Sequence, residues 1–488
     1  MALNLQRAYN RIIWTELTDL MDKGGEAVTG RMVVMGNKQW KGGKNMFKAL
    51  TRAFVRMCQR YLPDAYLFAI ILSLLAFALA MGLTDKSFFQ IVKSWGDGIS
   101  GIFAFAMQMI LILVTGHALA SSNAIKGGLN AIARIPKTPA QGPMLVVLVA
   151  GIASFINWGF GLVVGALLAV AVARRLKGVD YAFLVAAGYA GFVVWHGWIS
   201  GSIPLAVATP GHLVEKEIGG LIPVTQTIFA PYNLIIMFTI ILTLPILFKL
   251  MAPRPEDVRE IDPALLAEFD QQEKQENVVK ERTPATILEN SILINALFAT
   301  LGLLYLGHYF YKSGFNLTLN IVIIIFLILG IILHKTPINY VRAMNNAIKG
   351  AGGIALQFPL YGGIQGIMVG TGLAVIIANW FVSFSTPVTF PVFTFLAGGL
   401  INLFVPSGGG QWIVQGPINI PAGLALGVDP AKVAMSIAYG DQWTNMIQPF
   451  WALPLLGIAK LGIRDIMGYC AMVLLWSGLI MIVGLLVL

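Results

Sequence analysis

Apolar stretches recur along the whole chain, at 66–82, 99–115, 143–173, 234–252, 287–306, 319–333 and 470–488. Polar and basic segments separate them. A helix that crosses a bilayer needs about 20 mostly apolar residues, so this spacing predicts an all-α polytopic membrane protein with about ten spans. Direction follows from the bias of Lys and Arg toward cytoplasmic loops. On that rule 63–82 runs outward, 83–95 is a short outer loop, and 99–119 returns to Lys126, Arg134 and Lys137.

The stretch 142–173 ends on Arg174, Arg175 and Lys177, so both of its ends are expected inside. It is short for two crossings, and Asn157-Trp-Gly-Phe-Gly161 interrupts it. A re-entrant helical hairpin fits, which membrane proteins tolerate where protein or a water-filled cavity surrounds the tip. Residues 181–203 then cross outward and 229–249 come back. The second half runs along 287–309, 318–334 and 351–375, with a second interrupted stretch at 391–424, broken at Ser407-Gly-Gly-Gly410. Residues 431–455 lead inward to Lys460 and Arg464, and 465–488 lead out.

The two halves match at an offset of about 250 residues. Gly178-Val-Asp180 recurs as Gly427-Val-Asp429, Gln108 as Gln357, Gly191 as Gly440, and Pro204 as Pro454. The two broken tips share the same offset. The loop charges put the matched elements in opposite orientations, with the first hairpin opening inward and the second outward. The fold class expected is inverted-topology repeats with re-entrant hairpins and discontinuous helices, as in ion transporters that hold substrate at mid-membrane. The corresponding division is a basic cytoplasmic extension (1–60), a first membrane repeat (61–250), a hydrophilic cytoplasmic linker (251–285) and a second membrane half (286–488). The linker carries 9 Asp/Glu and 5 Lys/Arg with almost no apolar pattern, and reads as functionally quiet.

Composition agrees. Charged residues make up 11% of the chain, against roughly 25% in a soluble protein. The net charge of +10 reflects basic loops rather than a nucleic-acid partner. Residues 1–60 hold 11 Lys/Arg against 4 Asp/Glu, with no apolar core in the first 30, so a cleavable signal is not expected. Cys58 and Cys470 form no metal-ligand or CxxC spacing. Nucleotide-binding, metalloprotease and nucleophile-elbow motifs are absent from the sequence. An enzyme is therefore not expected, and neither is a cofactor beyond H⁺ or Na⁺ as a coupling ion.

Candidate chemistry gathers at the breaks. Helix ends at the tips leave backbone N–H groups that favour an anion. Asn157, Ser154, Ser407 and Gln411 can add donors there, and Gly408 and Gly409 let the backbone approach a ligand. A second pair of breaks lies in His196-Gly-Trp-Ile-Ser-Gly-Ser-Ile-Pro204 and in the segment that begins Asp441-Gln-Trp-Thr-Asn445. The offset sets His196 opposite Asn445. Polar groups at that depth are costly unless they line a cavity or meet a partner. His196 is a candidate for substrate contact or proton relay, with a packed core histidine as the rival role. Asp441 is the acidic candidate for ion coupling, with a cap or ion pair as its rival. Thr209, in Thr209-Pro-Gly-His212, closes the site or turns the chain. Trp158, Trp412 and Trp443 stand beside the breaks and suit an apolar wall.

Several strings resemble the bacterial short-chain fatty acid transporter family: Trp95-Gly-Asp-Gly98, Thr115-Gly-His-Ala-Leu-Ala-Ser-Ser122, Ile156-Asn-Trp-Gly-Phe-Gly-Leu-Val-Val164, Ala208-Thr-Pro-Gly211 and Asp441-Gln-Trp-Thr-Asn445. The likeness spans about 55–488. It implies secondary active uptake of acetoacetate, butyrate or another short monocarboxylate across the inner membrane, coupled to H⁺ or Na⁺. The partners implied are that substrate and membrane lipid, with homo-oligomerisation left open. The N-terminus would be cytoplasmic and the C-terminus periplasmic. A transporter for another anion, such as a C4-dicarboxylate, is the nearest alternative, although no Lys or Arg lies near either tip. An anion channel is a more distant one.

Overall fold

The computed structural model describes residues 39–61, 64–209, 211, 214–274, 283–314, 318–406 and 408–488. The chain divides into two compact units, Met1–Phe47 and Lys48–Leu488. Most of the first, and with it most of the basic extension, lies outside the described residues. Its last residues begin a basic helix, Gln39–Tyr61. Everything below belongs to the second unit, which is helical throughout its described elements.

The first half opens with α1 (Ala65–Leu83), α2 (Phe88–Gly101), α3 (Phe103–Ala120) and α4 (Asn123–Ile132). Asp64 caps α1 by accepting from the Tyr66 N–H. Ser87 and Gln90 form a capping box that starts α2 within the expected outer loop. The short outer loop expected over 83–95 therefore gives way to helix from Phe88 onward. Next come α5 (Gln141–Ile156) and α6 (Trp158–Arg175), then α7 (Tyr181–Ala190), which tightens into a 3₁₀ turn at Gly191–Gly197, and α8 (Ser202–Val207). Helix α9 (Pro231–Met251) leads to the linker helix α10 (Pro263–Lys274).

The second half contains α11 (Ile292–Ser313), α12 (Leu319–His334), α13 (Pro337–Ala347), α14 (Gly352–Gly370) and α15 (Leu373–Val382). It continues through α16 (Phe390–Asn402), α17 (Gly408–Ala425), α18 (Pro430–Thr444), α19 (Pro449–Ala459) and α20 (Ile463–Val487). Seven described helices are long and apolar enough to cross a membrane, or eight if α14 and α15, bent by 66°, count as one span. The remaining apolar helices are shorter. That is fewer than the ten expected from runs of hydrophobicity, because runs such as 351–375 contain breaks. This is the fold of an all-α, multi-pass membrane protein with discontinuous helices.

Both interrupted stretches fold back on themselves. A single residue, Asn157, separates α5 from α6, and the two helices lie side by side with Ser154 near Gly161 and Gly142 near Val172. Helices α16 and α17 do the same, since Gln411 donates to the Gly398 carbonyl and Gly423 meets Phe390.

The helix starts recur at a fixed interval. Those of α2, α3, α4, α5, α6 and α7 have counterparts 249 or 250 residues on, at the starts of α13 to α18. Packing is reciprocal as well. Helix α14 rests on α1 and α2, while its counterpart α3 rests on α12 and α13. Helix α19 rests on α6 and α7, and α8 rests on α17 and α18. Each half therefore completes its packing with elements of the other. The approach of α2 to α14 needs glycine, because a Cβ on Gly98 would overlap the Gly362 carbonyl oxygen and crowd Gly366.

The linker docks on the ends of the helices. Asp180 caps α7 through the Phe183 N–H and also accepts from the Arg259 N–H at 2.9 Å. Glu260 accepts from the Gly178 N–H, and Glu268 pairs with Lys460. Its polar residues hold it against the ends of the helices, which a count of charges does not reveal.

Gly98→Ala is expected to destabilise the detergent-purified protein by about 1–3 kcal/mol through overpacking. A thermal melting point equal to that of the wild type would contradict the glycine contact.

Candidate functional site

The breaks after α7 and α18 meet in the interior. His196, at the end of the 3₁₀ turn, is fully buried, and its Nδ1 lies 2.8 Å from Oδ2 of the equally buried Asp441 on α18. The other ring nitrogen, Nε2, accepts the Ile203 N–H at 3.0 Å and lies 3.1 Å from the Ser202 hydroxyl. A backbone N–H only donates, so Nε2 carries no proton and the ring proton sits on Nδ1, facing Asp441. The tautomer is thus set by the turn that starts α8. Gln442 fixes the backbone on the other side, its Oε1 accepting from both the His196 and Gly197 N–H groups.

Asp441 is tied to the second hairpin. The Asn402 amide nitrogen, at the end of α16, lies within 2.9 Å of the Asp441 carbonyl, the Thr444 hydroxyl and Asn445 Oδ1, which share its two N–H groups. The Tyr189 hydroxyl donates to the Asn445 carbonyl from α7. Gly408, which begins α17, lies against His196 and Ser202 so closely that a Cβ there would overlap His196 Cε1 and the Ser202 hydroxyl. The pair is therefore enclosed by the broken span of one half and by the hairpin and broken span of the other.

The candidates read from sequence divide accordingly. His196, Asp441, Asn445 and Gly408 come together, although His196 bonds Asp441 rather than the Asn445 set opposite it by the offset. Gln411 is buried on α17, its amide donating to Gly398 and Gln415. Gly409 has open space where a Cβ would project. Asn157 is buried at the first tip, where its Oδ1 accepts from the Gly159 and Phe160 N–H groups and so starts α6. The Ser154 hydroxyl is occupied by the Ala150 carbonyl of its own helix. Thr209 is exposed beyond α8, its hydroxyl bonded to Leu205, and does not reach the interior. Ser407 lies outside the described residues.

Of the three tryptophans beside the breaks, Trp158 packs with Trp451 and Trp195, at 5.0 and 6.4 Å between ring centroids. Trp412 belongs instead to an apolar cluster with Ile203 and Val207, and Trp443 bonds the Leu474 carbonyl.

Residues not singled out from sequence complete the interior: Asn402, Gln442, Ser202, Gln448, Trp195 and Trp451. The signal that could have found Asn402 is an amide embedded in an apolar stretch. Gln442 stood in the quoted string Asp441-Gln-Trp-Thr-Asn445. Several polar atoms of this interior have no hydrogen-bond partner among the described residues: Asp441 Oδ1, Asn445 Nδ2, Gln448 Nε2 and the indole N–H groups of Trp195 and Trp451. A buried polar atom left unpaired costs about 1–3 kcal/mol. A group that binds here therefore meets both donors and an acceptor ready to pair with it.

Buried polar breaks inside a multi-pass helical protein are the arrangement in which secondary transporters hold substrate at mid-membrane. A family model described as short chain fatty acid transporter matches residues 46–488. A protein of Escherichia coli (strain K12) named "Putative short-chain fatty acid transporter" is 49% identical over 440 residues, covering 90% of this chain and 99% of that one. One of the same name from Haemophilus influenzae (strain ATCC 51907 / DSM 11121 / KW20 / Rd) is 47% identical over 446 residues, covering 90% and 99%. The chain belongs to the short-chain fatty acid transporter family, and is a multi-pass protein of the bacterial inner membrane. The crystal structure of the Alcanivorax borkumensis YdaH transporter aligns with 86% of this chain and 98% of its own at 16% identity, with a TM-score of 0.42, and carries no weight in the assignment.

Gly408→Ala is expected to lower transport at least tenfold with little change in membrane yield, because the added methyl displaces His196. Gly409→Ala, facing open space, is expected to leave transport intact. Equal activity of the two variants would contradict the contact.

Proposed function

We propose that this family member takes up short monocarboxylates, acetoacetate and butyrate among them, by proton symport through the interior at His196 and Asp441. Family membership supports the substrate class, and the His196–Asp441 pair carries the coupling. Nε2 of His196 is the one ring position that can accept a proton. A proton arriving there turns Nε2 into a donor, and the Ile203 N–H loses its acceptor. The first turn of α8 must then shift, and with it Gly408, which begins α17. Proton binding is in this way converted into movement of a hairpin tip.

The unpaired donors Asn445 Nδ2, Gln448 Nε2 and the indoles of Trp195 and Trp451 suit a carboxylate, and Trp158 supplies apolar wall beside them. Each CH₂ adds only about 0.8 kcal/mol on burial, so several chain lengths are accepted with mild discrimination. Carrying a proton with the anion cancels its charge, which an inside-negative potential would otherwise oppose by about 2.3 kcal/mol per 100 mV.

The constant interval between helix starts and the reciprocal packing support a duplicated architecture. With both hairpins re-entrant, an even number of crossings, those of α2–α3, α7–α8, α9 and α11, lies between α1 and its counterpart α12, so the two run in opposite directions and the repeats are inverted. The loop charges support a cytoplasmic N-terminus and a periplasmic C-terminus.

Uptake of labelled butyrate and acetoacetate into proteoliposomes is expected to rise under an acid-outside gradient and to ignore a sodium gradient. His196→Gln and Asp441→Asn are expected to abolish the response to pH, and Asn157→Ala to reduce uptake with insertion intact. Stimulation by sodium alone would overturn proton coupling. No uptake of either compound under any gradient would overturn the substrate class.

A further inference from the structure

The second hairpin carries buried polar groups that the His196–Asp441 network does not use. Gln411, Gln415 and Asn419 stand at successive turns of α17, and Thr394 stands on the facing helix α16. All four are buried to 2% exposure or less. Gln411 directs its amide N–H groups to the Gly398 carbonyl and to Gln415 Oε1, each at 2.7 Å. Gln411 Oε1, Gln415 Nε2, both side-chain polar atoms of Asn419 and the Thr394 hydroxyl have no hydrogen-bond partner among the described residues. The meetings of Gln411 with Gly398 and of Gly423 with Phe390 set the register of the hairpin. Thr394, midway between Phe390 and Gly398, is therefore level with Gln415 and Asn419.

At 3.6 residues per turn, Gly408, Gln411, Gln415 and Asn419 lie within about 80° of one another on α17. Gly408 heads this row against the histidine, where a Cβ would lie 3.0 Å from His196 Nε2. From Gly408 to Asn419 the row runs about 16 Å along the helix, roughly half the thickness of a hydrocarbon core. The loop charges place both ends of this hairpin outside, so the row leads from the interior toward the outer face.

The fold does not demand these groups. The repeat interval carries Thr394, Gln411, Gln415 and Asn419 to Met144, Gly161, Gly165 and Ala169 of the first hairpin. Loop charges do not account for the difference, because neither α16 nor α17 contains an ionisable side chain. Helix α17 also holds Pro417 and Pro421, where the first hairpin has Leu167 and Ala171. Each proline leaves one helix carbonyl without its N–H partner, and membrane helices satisfy such carbonyls with neighbouring side chains or ordered water. A buried water makes about three hydrogen bonds to groups of this kind. Neutral amides and a hydroxyl bind water without trapping the proton that it carries.

We propose that the row Asn419–Gln415–Gln411, with Thr394 opposite, is the entry path of the coupling proton. Water admitted between α16 and α17 from the outer face hydrates the row, and a proton passes along it to His196 Nε2. The proposal rests on the proton-symport reading given above and adds to it the route and the residues that line it.

Two butyrate fluxes of the full-length protein in proteoliposomes test the path. One is net uptake under an acid-outside gradient. The other is butyrate–butyrate exchange at equal pH, in which the proton stays on the protein and the path is not needed. Gln415→Met and Asn419→Leu, apolar replacements of similar size, are expected to lower acid-driven uptake at least tenfold and to leave exchange within twofold of the wild type. Asn419→Ser, small and polar, is expected to retain acid-driven uptake. Thr394→Val tests the same row from α16 should either apolar variant fail to insert. Acid-driven uptake that is unchanged in the apolar variants, that falls in step with exchange, or that is lost equally in Asn419→Ser overturns the path. The wild type separates the two ideas: uptake that ignores an acid-outside gradient overturns proton symport, whereas acid-driven uptake that these variants leave unchanged overturns the path alone.

Discussion

The hydrogen bond between His196 and Asp441 joins two helices that are each broken at that depth, one from each half of the chain. Both side chains are fully buried. Removing one partner of a buried pair costs about 3–5 kcal/mol, because the other is left uncompensated. The bond adds to the packing between the halves, and the Ile203 N–H at Nε2 keeps the histidine proton on Nδ1, facing Asp441. A single proton position thus links the turn before α8, the end of α18 and the start of α17.

The broken helices are what make such a link available. A continuous helix satisfies its own backbone and offers nothing to a ligand or a neighbouring side chain. Where α7 gives way to a 3₁₀ turn, backbone N–H groups become free to meet Gln442 and His196. Where α16 ends, Asn402 gathers the Asp441 carbonyl, the Thr444 hydroxyl and the Asn445 side chain into one network. Asn157 does the simpler job of starting α6 after a one-residue break. The two hairpins are thus alike in fold and different in local chemistry.

Much of the architecture could be read from hydrophobic runs, loop charges and the offset between halves, since these report burial and repetition directly. The hairpin at Asn157 and the break at His196 were legible because polar and glycine-rich strings interrupt apolar ones. Less could be read where pairing depends on three-dimensional approach. The offset set His196 opposite Asn445, but the packing of the halves brings Asp441 to it, one helical turn earlier in α18. Thr209 looked like part of the site from its motif, yet α8 is too short to carry it inside. The docking of the linker could not be read, because it comes from single contacts such as Asp180 with Arg259 and Glu268 with Lys460, which leave no periodic pattern.

The central claim is that His196 is neutral, protonated at Nδ1, and released from Ile203 when it takes up a proton. Nitrogen-15 spectra of histidine-labelled protein in lipid nanodiscs, with His196 assigned by comparison with His196→Gln, report both ring nitrogens directly. The account predicts an unprotonated Nε2 and a protonated Nδ1 at neutral pH, with both protonated when butyrate is added at acid pH. A proton on Nε2 in the resting protein, or a ring whose signals ignore both butyrate and acid, would contradict it.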